Sequence, residues 1–312
     1  MEKREPEGTS MKHEQAISDL ASTRDGAKIV STDKNGIIKV WDISESHQLI
    51  TEWTHLELES YPKITLSPDD GLAAVGQGTI GIYSLEGRRV DHSVKIATYL
   101  GSFSFSPDGD KIACSTCDND IRVYNVKNGE LILGPLQGHK QCIRRVLWSR
   151  DGSRIFSASY DQTIRYWDSV TGEQIGQPWM GHTDYMRSLS LSPDGSILAS
   201  TSFDQTVRFW DTTTGHPIGQ RLPHDQHITT ANFLPSGESV VSAGWDGRVY
   251  LWQVPWLNAT KHHVMSLLVS WHCCYYRACL IANVWCNANV SNITITTSYI
   301  PTKITGGPLL CI

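Results

Sequence analysis

An aromatic residue recurs near the end of a β-branched run at Trp41, Tyr83, Tyr124, Trp167, Trp210 and Trp252, in steps of 42, 41, 43, 43 and 42 residues. Nothing else in the 312-residue chain restricts its fold so tightly, because a fixed period of this length means one supersecondary unit repeated and stacked. Fifteen residues before five of these aromatics stands a turn glycine: Gly26, Gly109, Gly152, Gly195 and Gly237. Before Tyr83 the glycine is Gly71, at a gap of only twelve. Each unit reads as short strands separated by turns. In the fourth, IRRVLW, RIFSAS and IRYWD alternate with SRDG, YDQT and SVTGE, whose Asp and Gly tolerate tight or left-handed backbone. Helical period is absent across 13–253. Four strands every 42 or so residues, without crossover helices, predict one antiparallel sheet per repeat. Such a sheet cannot bury both faces alone, so the sheets must stack.

The repeats carry a recognisable wording. Trp-Asp stands at Trp41-Asp42, Trp167-Asp168 and Trp210-Asp211, Gly-His at Gly138-His139 and Gly181-His182, and Ser-Pro-Asp-Gly at 106–109 and 192–195. On these residues the chain resembles the WD40-repeat family over about 13–253. The stretch TGEQIGQPWMGHTDYMRSLSLSPDG is similar to the expanded WD-repeat arrays of fungi, in which a NACHT nucleotide-switch module, absent from this sequence, often precedes the repeats. The resemblance implies an all-β propeller with six recognisable blades, a seventh being absent or atypical. The units fall at about 13–53, 54–95, 96–137, 138–180, 181–223 and 224–253, between a polar segment 1–12 and a non-repeat tail 254–312. Their first three strands are expected near 16–42, 61–84, 99–125, 143–169, 186–212 and 229–253. Fourth strands are expected near 47–53, 88–94, 130–136, 174–180 and 217–222. The sixth unit lacks an obvious fourth strand, for which the β-branched run 292–305 is a candidate, and a strained or partly open ring of low thermal stability follows.

The polar residues repeat as well. In the family a His before the innermost strand, a Ser or Thr on the second, an Asp in the next turn and the Trp form a buried network. Counting back from the Trp by 28, 10 and 6 gives His139, Ser157 and Asp161 for Trp167, and His182, Ser200 and Asp204 for Trp210. The same count gives His224, Ser242 and Asp246 for Trp252, and His13, Ser31 and Asn35 for Trp41. A His, a Ser and an Asp together invite a hydrolase reading. A catalytic triad is needed once, beside an oxyanion hole, whereas this set occurs four times at fixed spacing. Indole N–H only donates, so a chain from Trp through Ser and His to Asp satisfies every member. For Tyr124, Asp118 is in place but Cys114 and Ile96 replace Ser and His; for Tyr83 the network is expected to be missing.

Composition divides the chain in two. All 32 acidic residues precede position 254, so residues 1–253 carry a formal −8 and the last 59 residues +3. The tail holds five of the eight Cys, and loses the repeat register, as a read-through or altered splice product would. Its cluster His272, Cys273, Cys274, Cys279 and Cys286 lacks paired Cys-x2-Cys spacing, so no metal is expected. Segment 264–285 is apolar, but His272 and Arg277 within it make membrane insertion costly. Gly76-Gln77-Gly78 is only a fragment of a phosphate loop and no helix follows it. The charged N-terminus lacks the apolar run of a signal peptide, which points to cytoplasm or nucleus, with Cys114, Cys117 and Cys142 as reduced thiols.

The function these features imply is a non-catalytic protein–protein interaction scaffold, with no cofactor, catalytic residue, small-molecule substrate, nucleic acid or membrane partner. The alternatives are a propeller enzyme using the central channel and a nucleic-acid-associated subunit. The first needs an acid, base or metal cluster drawn from several blades, and the second a basic face, against a repeat region of −8. In the family the residue before the network Asp, and those three and five after the network His, lie on the top face. Here those are Tyr160, Phe203 and Trp245, with Cys142 and Arg144, Tyr185 and Arg187, and His227 and Thr229. Aromatics and Arg are enriched at binding hot spots, so this patch is the candidate surface for an extended or acidic segment of a partner protein.

Overall fold

The computed structural model describes residues 12–44, 48–55, 62–76, 78–95, 99–254 and 260–265. Within them the chain forms 23 strands and no helix, in six antiparallel sheets whose strands pair in chain order. The first sheet holds β1 (Ile17–Ser22), β2 (Lys28–Asp33), β3 (Ile37–Asp42) and β4 (Leu49–Thr54). The second holds β5 (Lys63–Leu66), β6 (Leu72–Gly76), β7 (Thr79–Ser84) and β8 (Arg89–Lys95), and the third β9 (Leu100–Phe105), β10 (Lys111–Thr116), β11 (Asp120–Asn125) and β12 (Leu131–Gln137). The fourth has β13 (Ile143–Trp148), β14 (Arg154–Ser159) and β15 (Ile164–Asp168). The fifth has β16 (Met186–Leu191), β17 (Ile197–Ser202), β18 (Thr206–Asp211) and β19 (Pro217–Pro223), and the sixth β20 (Ile228–Phe233), β21 (Ser239–Gly244), β22 (Val249–Gln253) and β23 (Thr260–Met265).

Two strand expectations need correction. In the fourth sheet 174–180 makes only two isolated bridges to β15, Gln174 to Trp167 and Trp179 to Ile164. Gly176 sits there at φ 65° and Pro178 has no N–H to give, and between the two bridges no ladder pair forms. The sixth sheet does have a fourth strand, β23, which pairs with β22 and follows it almost directly. The run 292–305, the tail cysteines and almost all of 264–285 lie outside the described residues.

The glycine fifteen residues before each aromatic closes the turn between the first two strands: Gly26, Gly109, Gly152, Gly195 and Gly237 all have φ between 71° and 79°. In the irregular second sheet that left-handed position is taken by Asp70 (φ 56°) rather than Gly71, which accounts for one residue of the slip, and the shorter turn between β6 and β7 for the rest.

Burial lies between sheets. Val30, Ile38 and Val40 pack on Ile64, Ala73, Val75 and Tyr83, and Ile80, Ile82 and Val94 on Leu100, Phe103 and Ile112. The same pattern joins the third sheet to the fourth, the fourth to the fifth and the fifth to the sixth. Each aromatic of the 42-residue series from Tyr83 onward enters the cluster shared with the preceding sheet. The first strands of neighbouring sheets, β1, β5, β9, β13, β16 and β20, pack in that order, and so form the inner edge of the stack. This is a β-propeller arrangement, with the sheets as blades.

Candidate functional site

The buried network forms as a directional chain in the fourth and fifth blades. Trp167 Nε1 donates to Ser157 Oγ at 2.9 Å, Ser157 Oγ lies 2.8 Å from His139 Nε2, and His139 Nδ1 lies 2.9 Å from Asp161 Oδ2. Trp210, Ser200, His182 and Asp204 repeat this at 2.8, 2.8 and 2.7 Å. With the indole donating to Ser and Asp accepting from Nδ1–H, the Ser O–H must point at the imidazole lone pair. No lone pair is left to act as a general base toward a substrate. Burial would raise the Asp204 carboxyl, but hydrogen bonds from His182, Thr206 and Thr183 outweigh it and hold the group down to about 2. Burial is also the main cause that lowers His139 and His182.

The other blades depart from the expected chain. In the first, His13 Nε2 and Trp41 Nε1 meet Ser31 Oγ at 2.6 and 2.8 Å, but the acid is Asp33, 3.3 Å from His13 Nδ1, and not the position of Asn35. A carboxylate accepts more strongly than an amide, and Asn35 instead donates its backbone N–H to Asp33 at 2.9 Å. In the sixth, His224 and Trp252 meet Ser242 at 2.7 and 2.8 Å, yet Asp246 accepts from the Tyr250 hydroxyl rather than from His224, whose Nδ1 faces the Leu222 carbonyl. Tyr250 occupies the place held by Arg165 and Arg208 in the preceding blades, and its hydroxyl reaches the carboxylate first. The second blade is not without a network: His55 Nδ1 lies 2.8 Å from the Tyr83 hydroxyl. The count of 28 lands on His55, so the signal was there. In the third blade Asp120 takes hydrogen bonds from Thr116 (2.7 Å) and Arg122 (2.9 Å), and burial pushes the Cys114 thiol up.

The rim residues come together as a continuous row. Tyr160, Phe203 and Trp245 donate their backbone N–H groups to the carbonyls of Cys142, Tyr185 and His227 at 3.0, 2.9 and 2.9 Å. One geometry is thus used three times. The Arg144 guanidinium lies 5.6 Å from the Tyr160 ring, and Arg187 is 5.9 Å from Tyr160 and 5.2 Å from Phe203. Arg187 also donates to the Tyr160 hydroxyl at 2.5 Å. Tyr160 stacks on Tyr185 at 4.6 Å, and Phe203 meets His227 at 4.6 Å and Trp245 at 5.3 Å. Trp245 and Tyr185 remain 43% and 41% exposed, which leaves apolar faces open to a partner. Thr229 differs, being buried and donating to the Ala243 carbonyl at 3.1 Å.

A β-bulge sets the direction of these side chains. Register slips between Ile143 and Arg145, Met186 and Ser188, and Ile228 and Thr230, so Arg144, Arg187 and Thr229 fall between the register pairs. Ser18 and Gly101 hold the same place in the first and third blades. Bulges re-aim a side chain out of the ladder direction.

Two rim residues escaped the sequence reading. Cys117 donates its N–H to the Tyr99 carbonyl at 2.9 Å, so the third blade extends the row, and Tyr99 is 52% exposed. The count began at a network His, and Ile96 stands there instead. Cys117 and Cys142, expected as thiols, are joined by a disulfide that links the third blade to the fourth. Among the described residues no group of three or more His, Cys, Asp or Glu side chains is placed to hold a metal, and no helix is long and apolar enough to cross a membrane.

Stacked four-stranded sheets and repeated Trp-Ser-His-Asp chains define a WD-repeat propeller. The family model for the WD domain, G-beta repeat, matches residues 4–42, 90–125, 131–168, 173–211 and 215–253, and the chain belongs to that family. It is 27% identical over 152 residues to WD repeat-containing protein 1 of Mus musculus, an overlap of 43% of this chain and 23% of the relative. It is 28% identical over 144 residues to actin-interacting protein 1 of Caenorhabditis elegans, covering 42% and 22%. Over 145 residues it is 28% identical to echinoderm microtubule-associated protein-like 2 of Homo sapiens, covering 44% and 22%. The chain thus spans less than a quarter of the length of these relatives.

Proposed function

We propose that this protein is a non-catalytic interaction scaffold that holds an extended, acidic segment of a partner protein on the top rim of its fourth to sixth blades. The observation that carries this reading is the unbroken row from Arg144 through Tyr160, Arg187 and Phe203 to Trp245, in which cations and aromatic faces alternate across three blades. Arg held flat against a ring is pre-ordered, so less side-chain freedom is lost on pairing with a carboxylate. Exposed faces of Tyr185 and Trp245 supply apolar area beside those charges. Two relatives are themselves named for proteins, one for interaction with actin and one for association with microtubules, which supports a protein as partner class. Changing Arg144, Arg187 and Trp245 together to Ala is expected to abolish partner capture from an extract of the source cells. None belongs to the Trp-Ser-His-Asp chains, so circular dichroism and the unfolding midpoint should stay close to wild type. A folded triple variant that captures the same partners at wild-type levels would place the surface elsewhere.

A further inference from the structure

Along the rim, neighbouring blades touch through one recurring pair of positions: the residue just after a blade's second strand and the residue just before the next blade's first strand. Between the fourth and fifth blades these are Tyr160 and Tyr185, whose rings stack at 4.6 Å. Between the fifth and sixth they are Phe203 and His227, also 4.6 Å apart. Between the third and fourth they are Cys117 and Cys142, with Cα atoms 4.1 Å apart and the sulfurs bonded. The pairing is therefore made by the repeat, which brings the same two positions together at each of these junctions. Both cysteines hang from backbone already held within their own blades. The Cys117 N–H donates to the Tyr99 carbonyl at 2.9 Å, and the Cys142 carbonyl accepts the Tyr160 N–H at 3.0 Å.

An aromatic stack is a junction with one chemical state. A disulfide has two, because exchange with an external thiolate opens it. Access is what exchange requires, and Cys117 and Cys142 are only half-buried. Cys114, three residues before Cys117, is the contrast: it is wholly buried, and burial pushes its thiol up, so it takes no part in exchange. Cys142 also stands directly before β13, whose bulge carries Arg144, the first cation of the rim row. A bond at Cys142 thus holds the start of that strand from the neighbouring blade.

We propose that Cys117 and Cys142 form a reversible thiol–disulfide site that, when closed, locks the third blade to the fourth and fixes the fourth-blade end of the rim row. Opening needs a dithiol reductant. One of its thiolates attacks a cysteine sulfur, breaking the S–S bond and expelling the other cysteine as a thiolate. The reductant's second thiol then displaces the first cysteine, so two electrons and two protons pass to the protein and the reductant leaves as a disulfide. A low-molecular-weight disulfide closes the site by the same exchanges in reverse. The effect on partner capture rests on the rim surface proposed above; the lock does not.

The full chain is equilibrated in reduced dithiothreitol and then in glutathione disulfide, and differential alkylation with mass spectrometry reads Cys117 and Cys142 separately from the other cysteines. Both should be free thiols in the first buffer and bonded to each other in the second. Hydrogen exchange at the Tyr160 N–H, whose acceptor is the Cys142 carbonyl, should be about tenfold faster in the reduced protein. The Phe203 N–H, at a junction closed by rings, should not change. Partner capture should fall about fivefold on reduction, because Arg144 is no longer held in place, and recover on oxidation. Cys117→Ser, which keeps Cys142 but cannot close the bond, should match the reduced protein in both buffers. If Tyr160 exchange responds and capture does not, the lock stands and the partner surface lies elsewhere. A bond that survives dithiothreitol or fails to re-form, Tyr160 exchange that is the same in both states, or a Cys117→Ser chain that keeps the response would overturn the proposal.

Discussion

Ser157 is fully buried and its single hydroxyl meets the Trp167 indole and the His139 ring. Removing it strands two buried polar groups, each costing about 1–3 kcal/mol. Ser157→Ala is therefore expected to lower the unfolding free energy by about 2 kcal/mol or more, read as a shift of the urea midpoint. Ser153→Ala, in an exposed turn, should change it by no more than about 0.5 kcal/mol. Protonation acts on the same chains. His139 and His182 are held below their ordinary 6.5 by burial, so the unfolded chain binds more protons than the folded one as pH falls below that value. Their contribution to stability is complete above pH 6.5 and is lost on acidification. Asp204, lowered from 3.8 to about 2, adds a second loss between those values. The urea midpoint should fall between pH 7 and pH 5, and a midpoint unchanged over that range would mean that the two imidazoles are not held neutral.

Among elements, β9 and β13 pack directly on each other across neighbouring blades. A Cβ added to Gly101 would lie 1.7 Å from the Ile143 carbonyl oxygen, so no larger residue fits unless two strands separate. Gly101→Ala should destabilise by about 3 kcal/mol or more, seen as a lower thermal midpoint or loss of soluble protein. The strands themselves were readable because alternation and turn residues repeat with the aromatic: the span expected at 143–169 is observed as Ile143–Asp168. The rim pairs were readable for the same reason, since offsets from His139, His182 and His224 pass through turns of equal length. What counting cannot resolve is competition between near neighbours. Asp33 and Asn35 are two residues apart, and a hydrogen bond, not a spacing, decides between them. Tyr250 draws Asp246 away from His224 because a phenol stands where the third, fourth and fifth blades have an arginine. The Cys117–Cys142 bond joins different blades, and a period within blades carries no information about contacts across them.

At the scale of the molecule, the bulge on the inner strands separates two demands on one sequence. The residues on either side of it, Ile143 and Arg145, Met186 and Ser188, or Ile228 and Thr230, pair with the next strand, while Arg144, Arg187 and Thr229 belong to no ladder pair. Arg144 and Arg187 are half-buried and lie outside the core, whereas Ile143, Met186 and Ile228 are wholly buried and fill it. If Arg144 and Arg187 hold the proposed partner, the positions that recognise it are insulated from those that keep their blades folded, unlike Gly101 at the same place in the third blade, which admits no side chain. In a saturation library scored for cellular abundance, positions 144 and 187 should accept most substitutions, while 143, 186 and 228 should accept only apolar residues of similar volume. Equal intolerance at both sets would show that no such insulation exists. If it holds, a chain of this kind can change partners through single substitutions at a few axial positions, each nearly silent in stability, and its recognition can drift much faster than its fold.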